Sequence, residues 1–223
     1  RFADFADRVL DRSQCGGAPE YANPPLIVRS FEPAALEILN GLKAAWNILQ
    51  DQSPESELVW LALTAILRAA SVAGTAQWQY ILPNKSKAKV MPPIAAFQRQ
   101  IENMKSDMRW MQSQVRESKS RIVSGDARAL VDCADAEVDA VITSPPYANN
   151  YDYADAVRFE MTFWGEINGW GDIHDAVRRH LIVSSSQHSS RERLVLDDLL
   201  ESEIVAPIRK ELRKVSETLA TVR

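Results

Sequence analysis

The chain has 223 residues, of which 46% are hydrophobic and 25% are charged, and its formal net charge is −4 at pH 7. This composition is that of a folded globular protein, long enough for one domain or for one domain with an insertion. The acidic balance argues against indiscriminate binding to nucleic acid, and no apolar run reaches the roughly 20 residues that a membrane span requires.

Cys15 and Cys133 are the only cysteines, and neither has a second Cys or His at metal-ligand spacing. Because no signal peptide is evident either, we expect a reduced, cytoplasmic protein without a metal site. The three histidines lack a nucleophile or metal partner in the sequence and are expected to be structural. The chain begins at Arg1 and stops at Arg223 inside a helical pattern, so we expect a fragment of a longer protein.

Residues 1–119 are predicted to be mainly helical. Apolar residues on one face indicate a first helix over residues 1–12. Pro33 is suited to the first position of a second helix, and Ser53-Pro54 supplies the capping side chain and the early proline of a third. A longer helix over residues 94–118 carries a methionine stripe that is expected to pack in the core.

The charge is unevenly distributed along the chain. Residues 77–121 carry nine Lys/Arg against three acids, a net charge of +6, so the remainder carries −10. Within this segment Trp78 is followed by lysines at alternate positions, Lys85, Lys87 and Lys89. Such a pattern suits a track of DNA phosphates, and it is also common on solvated surfaces. We therefore predict that residues 1–119 include a DNA-contacting insertion.

From residue 120 the pattern changes to α/β. Residues 121–124 are predicted to form a short strand, and residues 138–143, apolar in succession, a strand buried on both faces of a parallel sheet. A right-handed crossover between them brings both strand ends to one edge of the sheet. The predicted fold class is thus α/β, a doubly wound, Rossmann-like sheet with a largely helical insertion, in which residues 120–223 form the catalytic part.

Two more helices are predicted further along the chain. The first follows residue 153, has Val157, Met161 and Trp164 on its inward face, and ends near Gly165. The second covers residues 204–222, where apolar residues at helical spacing alternate with basic ones. It is expected to be amphipathic and to lie on the sheet.

The second strand leads into Ser144-Pro145-Pro146-Tyr147. The prolines cannot pair in a sheet and keep the preceding residues extended, so a stiff rim is expected at the strand's carboxyl end, where open α/β sheets bind ligands. The Ser144 oxygen and the Pro145 carbonyl are suited to accept both hydrogens of an amino group whose lone pair is delocalised. Tyr147 is suited to stack on a flipped-out base. In isolation these residues could equally form a proline turn after a core strand.

Thr143-Ser144-Pro145-Pro146-Tyr147 resembles the catalytic motif of S-adenosylmethionine-dependent DNA methyltransferases that modify exocyclic amino groups. The resemblance covers residues 120–165 specifically and the helical region of residues 58–89 more loosely. Gly125-Asp126-Ala127 lies where such enzymes have a turn that contacts the cofactor's adenine, although Asp126 could instead cap the following helix. Asn149-Asn150-Tyr151-Asp152-Tyr153 is similar to bacterial DNA modification methylases.

This resemblance implies site-specific methyl transfer from S-adenosylmethionine to a flipped-out base in DNA, as in restriction-modification systems. A serine at the first motif position is associated more often with cytosine-N4 than with adenine-N6 methylation. Ser144, Pro145, Pro146 and Tyr147 are the catalytic candidates. The candidate DNA contacts are Trp78, Lys85, Lys87, Lys89, Asn149 and Asn150, and the candidate cofactor contacts are Gly125, Asp126 and Ala127.

The glycines depart from the family pattern. The family's cofactor loop is a Phe-x-Gly-x-Gly turn after a strand, and none of the eight glycines forms it. Either that loop lies outside this chain or the cofactor is not bound in the usual way. Methylation of an RNA amine or of a protein amide, and a catalytically inactive, methyltransferase-like DNA-binding subunit, remain alternatives. The sequence does not fix the oligomeric state.

Overall fold

The computed structural model describes residues 1–16, 21–76, 80–114, 121–123, 125, 138–144, 151–180, 200–201 and 203–221, apart from the side chains of residues 204, 219 and 220. The chain divides into two compact units. The first comprises Arg1–Pro146 with Asp152–Leu181, and the second comprises Tyr147–Tyr151 with Ile182–Arg223. The predicted boundary between residues 119 and 120 lies where the chain is not described, so it stays a prediction.

Helices form most of the first unit. Their bounds are α1 Phe2–Gln14, α2 Pro25–Ser30, α3 Pro33–Leu49, α4 Pro54–Ala70, α5 Pro93–Gln114, α6 Tyr153–Trp164 and α7 Asp172–Ala176, followed by a 3₁₀ turn at Arg178–His180. An antiparallel hairpin of β1 Ala73–Thr75 and β2 Ile81–Ser86 comes between α4 and α5 in the chain. None of the described helices is both long and apolar enough to cross a membrane.

Local capping signals place the first helices where the sequence predicts them. Pro33 is the first residue of α3, and Pro54 is the first residue of α4. The Ser53 hydroxyl accepts a hydrogen bond from the backbone N–H of Ser56 at 3.2 Å and so caps α4. The short helix α2 was not predicted.

One hydrophobic core joins α1, α3, α4, α5 and α6. The large side chains buried in it include Phe5, Val9, Leu39, Leu42, Val59, Leu67, Phe97 and Phe159. Met104 and Met108 of the predicted methionine stripe pack against this core, whereas Met111 is exposed. The core is therefore built by residues that precede the motif, together with the helix that follows it.

The two predicted strands are absent from their described residues. Residues 121–123 and 138–143 have no strand pairing, and the side chains of Val141 and Ile142 are 80% and 100% exposed. A parallel strand takes all its inter-strand hydrogen bonds from its neighbours, and the only sheet among the described residues is the hairpin of β1 and β2. The prediction of burial is wrong for these residues. The doubly wound sheet itself stays a prediction, because most of residues 115–150 lie outside the described part.

The predicted inward face of α6 is confirmed in part, because Met161 and Trp164 are partly buried and pack against hydrophobic clusters. Its buried residues are Ala154, Phe159, Thr162 and Phe163, while Val157 is exposed. Val157 and Phe159 are two positions apart and point to nearly opposite sides of a helix. The phenylalanine rings bury more apolar area than a valine does, and they set the face that packs inward.

The second unit contains a 3₁₀ turn, Glu203–Ile208, and an α-helix, α8 Arg209–Thr221. Arg213 of α8 pairs with Glu201 at 2.7 Å. The helix predicted at the C-terminal end is therefore confirmed, and its proposed packing on a sheet stays a prediction.

Gly165 ends α6 in the left-handed region, with φ of 83°. No atom lies within 4 Å of an added Cβ at Gly165 or at Gly169, and only Gly165 of the two has positive φ. We expect Gly165→Ala to lower the free energy of unfolding by about 1–2 kcal/mol because of the left-handed backbone alone. Gly169→Ala is the control. Equal urea midpoints for the two variants would contradict this assignment.

Candidate functional site

Ser144 is the one residue of the predicted catalytic set that the structure describes. It is exposed and follows an exposed stretch from Val138 to Thr143 that has no regular secondary structure. Pro145, Pro146 and Tyr147 lie outside the described residues, as do Asn149 and Asn150. The hydroxyl of Ser144 is accessible to a ligand, whereas the geometry of the complete motif stays a prediction.

The predicted cofactor turn is represented by Gly125, which is exposed in a bend; Asp126 and Ala127 lie outside the described residues. The described glycines nearer the core have other roles. Gly165 caps α6, Gly41 lies within α3, and Gly74 faces Lys85 so closely that an added Cβ would lie 3.0 Å from the Lys85 Cβ. The described residues thus provide no glycine cradle that fits the methionine part of S-adenosylmethionine.

Asp152, eight residues after Ser144, is held by hydrogen bonds and by an ion pair. Its Oδ1 accepts hydrogen bonds from the backbone N–H groups of Ala154 at 3.1 Å and Asp155 at 3.3 Å, so it caps α6. Its Oδ2 pairs with Arg178 at 2.6 Å, and its own backbone N–H donates to the Tyr80 hydroxyl at 2.8 Å. Asp152 is 8% exposed. In the Asn-Asn-Tyr-Asp-Tyr continuation of the motif, the aspartate is therefore a structural anchor.

Two arginines contact the indole of Trp170, and one of them is Arg178, the ion-pair partner of Asp152. The guanidinium carbons of Arg178 and Arg158 lie 4.6 and 4.8 Å from ring centroids of Trp170. Arg158 also pairs with Asp155 at 2.7 Å. Burial raises the pKa of Asp155, and the nearby carboxylate of Asp152 raises it further, against the opposing effect of Arg158. The start of α6 is thus held by paired charges in addition to the burial of Ala154 in a small hydrophobic cluster.

Arg68 joins α4 to α6. Its Nε lies 2.5 Å from Glu160 Oε1, and its Nη2 donates to Glu160 Oε2 at 3.0 Å and to the Ala156 carbonyl at 2.6 Å. The planar guanidinium matches a carboxylate in this two-point arrangement, which fixes orientation as well as distance. One turn earlier on α4, Thr64 Oγ1 accepts a hydrogen bond from the indole N–H of Trp164 at 2.9 Å.

Lys43 holds the other end of α6. Its Nζ donates to the Phe163 carbonyl at 2.5 Å and lies 4.8, 5.1 and 5.8 Å from the ring centroids of Tyr21, Phe163 and Trp164. The residue is 8% exposed, and burial lowers the pKa of its ammonium group. A cation near the last carbonyls of a helix is favoured by the helix dipole, and aromatic faces stabilise it further. The helical spacing of α3 signalled that position 43 faces inward, and nothing in the sequence signalled its partners.

The three alternate lysines have different environments. Lys85 on β2 and Lys89 beyond it are exposed, whereas Lys87 is partly buried and donates to the Arg68 carbonyl at the end of α4. Burial and the charge of Arg68 lower the pKa of Lys87. The structure therefore leaves Lys85 and Lys89 accessible to a phosphate backbone and gives Lys87 a structural contact. Trp78 lies outside the described residues.

Other features of the described residues do not form a second site around the motif. They contain no group of three or more His, Cys, Asp or Glu placed to hold a metal ion. A shallow groove of about 290 Å³ lies between α1 and α5, lined by Ala6, Asp7, Leu10, Phe97, Gln98, Ile101 and Glu102. None of these lining residues was predicted to be functional.

Replacing Lys43 with Met removes the ammonium group and keeps most of the stem. Because the pKa of Lys43 is lowered from its ordinary value of 10.5, the folded chain loses this proton at a lower pH than the unfolded chain does. Between the lowered pKa and 10.5 the unfolded state binds more protons, so this residue makes the wild type more stable as pH rises through that window. We expect the unfolding free energy of wild type minus that of Lys43→Met to increase there and to be constant at lower pH.

Urea unfolding at a series of pH values measures this difference. Lys89→Met, which removes an exposed lysine, controls for the general loss of one positive charge. A difference between wild type and Lys43→Met that does not change with pH would show that burial does not lower the pKa of Lys43.

No protein-family model matches the chain. Searches of the curated proteins and of the solved structures also give no match. The resemblance to amino-methylating DNA methyltransferases therefore depends on the motif residues and on their local continuation.

Proposed function

We propose that the protein is an S-adenosylmethionine-dependent DNA methyltransferase that modifies an exocyclic amino group, cytosine-N4 in preference to adenine-N6. The observation that carries the proposal is Thr143-Ser144-Pro145-Pro146-Tyr147 with its continuation through Tyr153. Two structural facts support it. The Ser144 side chain is exposed, and Asp152 is held in place eight residues later. The proposal includes the doubly wound sheet that the sequence predicts.

The chain's own part of the reaction is to prepare the amino nitrogen. An exocyclic amine delocalises its lone pair into the ring and is a poor nucleophile. When the Ser144 oxygen and the Pro145 carbonyl accept its two hydrogens, the nitrogen is favoured in the tetrahedral geometry that attack requires. Tyr147 stacks on the base and replaces stacking lost from the duplex. The bound cofactor supplies the methyl group, and the amino group releases one proton to solvent.

In this proposal Lys85 on β2 and Lys89 beyond that strand contact the DNA backbone. Both lysines are exposed and four positions apart, so both are accessible to phosphates, while Lys87 donates a hydrogen bond to the Arg68 carbonyl. Phosphate contacts of this kind position a protein on DNA without reading sequence. The Arg68 pair with Glu160 then links the hairpin to the helix that follows the motif.

A second candidate is a catalytically inactive DNA-binding subunit with a methyltransferase-like motif. Three glycines favour it, because Gly165, Gly41 and Gly74 serve as a helix cap, a helix residue and a hairpin contact rather than as a cofactor cradle. Methyl transfer to DNA separates the two candidates directly. Competition by RNA in the same assay tests whether an RNA amine is the substrate instead.

Ser144→Ala removes one of the two proposed acceptors of the amino hydrogens. We expect transfer of a tritiated methyl group to DNA, counted on filters, to fall about a hundredfold, as for other single preorganised polar groups at reacting centres. Ser106→Ala on the exposed surface of α5 is the matched control and should retain full activity. Normal transfer by Ser144→Ala at unchanged stability would refute the assignment of the motif.

The double variant Lys85→Gln, Lys89→Gln removes two proposed phosphate contacts. We expect the slope of log K for DNA against log salt concentration to become shallower by about 1.8, since each phosphate contact contributes about 0.9. Lys87→Gln, at the residue that follows β2, is the control. It is expected to lower the urea midpoint, because the Arg68 carbonyl loses its donor, and to leave the salt slope unchanged. An unchanged slope for the double variant would show that Lys85 and Lys89 do not contact the DNA phosphates.

A further inference from the structure

The hairpin of β1 and β2 contains a bulge on its second strand. Ala73 on β1 pairs with Ser86, whereas the next residue, Gly74, pairs with Leu82. Residues 83–85 of β2 therefore have no partner on β1, and we call them the 83–85 bulge. A β-bulge bends its strand and changes the direction of the side chains on it, and bulges are frequent beside functional sites for that reason.

Residues on both strands hold the 83–85 bulge in place. Pro83 has no backbone N–H, so the missing partner on β1 leaves no unpaired donor at that position. Gly74 lies against Lys85, and a Cβ added to Gly74 would be 3.0 Å from the Lys85 Cβ and 3.1 Å from its carbonyl oxygen. A side chain at position 74 would therefore displace the bulge. After the bulge, the backbone N–H of Lys87 donates to the Val72 carbonyl at 2.9 Å and fixes the chain again.

Asn84 is the central residue of the 83–85 bulge. It is exposed, and its carboxamide has no hydrogen-bond partner among the residues that the structure describes. A carboxamide presents an acceptor oxygen and a donor N–H₂ side by side. Both groups of Asn84 are therefore accessible to a ligand, on a stretch of backbone whose position is fixed from both sides.

We propose that Asn84 recognises an adenine in DNA by hydrogen-bonding its edge in the major groove. This inference rests on the proposed function. The major groove admits a two-stranded β-ribbon, and an asparagine can donate to adenine N7 and accept from the N6 amino group at the same time. The neighbouring Lys85 and Lys89 are exposed, and contacts from lysines to phosphates position a protein without selecting a sequence. Asn84 supplies the selection that these lysines do not.

The fixed backbone of the 83–85 bulge suits a contact with two simultaneous hydrogen bonds. Such a contact selects a base only when both hydrogen bonds form together, and a side chain on a mobile segment must first be ordered at an entropic cost. The close approach of Gly74 to Lys85 and the hydrogen bond of Lys87 to Val72 hold the backbone on either side of Asn84 before any ligand binds. Sites on strands are accordingly more precise than sites on loops.

Asn84→Ala removes the carboxamide and keeps Gly74 and both lysines. The matched control is Asn103→Ala, which removes the carboxamide of an exposed asparagine on α5. The chain is bound to DNA duplexes that contain a randomised segment, and sequencing of the bound fraction gives the base preference at each position. This measurement needs no cofactor and no methyl transfer. The dependence of binding on salt concentration is measured for the same variants.

We expect wild type and Asn103→Ala to prefer an A·T pair about tenfold at one position, and Asn84→Ala to lose this preference with an unchanged salt slope. Placing 7-deazaadenine, which lacks the N7 acceptor, at that position should weaken binding of the wild type about as much as Asn84→Ala does. The same base should not weaken binding of Asn84→Ala further, because the two changes remove one contact.

Equal base preferences in wild type and Asn84→Ala overturn the adenine contact, and a bulge that only protects the edge of its strand would give this result. Loss of the preference in Asn103→Ala, or a preference for G·C that depends on Asn84, also overturns it. The expected preference without methyl transfer supports the contact and refutes the proposed enzyme. If the wild type neither binds nor methylates DNA, the proposed function is refuted and this inference with it.

Discussion

The contacts of Arg68 connect three parts of the first unit. Its guanidinium binds both carboxylate oxygens of Glu160 and the Ala156 carbonyl, and its own carbonyl accepts a hydrogen bond from Lys87. A partly buried charge pair is costly to break from one side, because the remaining charge is left without a partner. The contacts of Arg68 thus hold α6 against α4 and connect both to Lys87, the residue that follows β2.

Apolar burial and polar contacts make different contributions to the placement of α6. Phe159 and Phe163 are buried in the common core, and their burial stabilises the packing of α6 without specifying its orientation. The polar contacts at both ends of the helix specify one register. Asp152 and Arg178 hold its start, and the ammonium group of Lys43 holds its last turn. Buried polar groups tolerate few alternative arrangements, since an unmade hydrogen bond in the interior costs more than a made one contributes.

The helix starts could be predicted from sequence because their determinants are local. Ser53-Pro54 and Pro33 act within one turn of themselves, and Gly165 ends α6 through its own backbone angle. The partners of Lys43, Arg68 and Tyr80 lie 120, 92 and 72 residues away. No periodicity encodes such a pairing, so the contacts that organise the candidate site could not be predicted. The prediction of a buried strand over residues 138–143 was wrong for a related reason. Its burial depended on neighbouring strands, and the described residues contain none that pair with it.

Holding an acceptor amine and holding a methyl donor require different kinds of residues. Holding an acceptor amine requires accurately placed neutral oxygens, and this chain provides an exposed serine with an anchored helix downstream of it. Holding a methyl donor requires a backbone that can approach the cofactor closely, which is the use of glycine in such turns. Gly74 and Gly165 are committed to the hairpin and to the end of α6. The described residues that support the proposed methyl transfer, Ser144 and Asp152, therefore belong to the acceptor part of the proposed site.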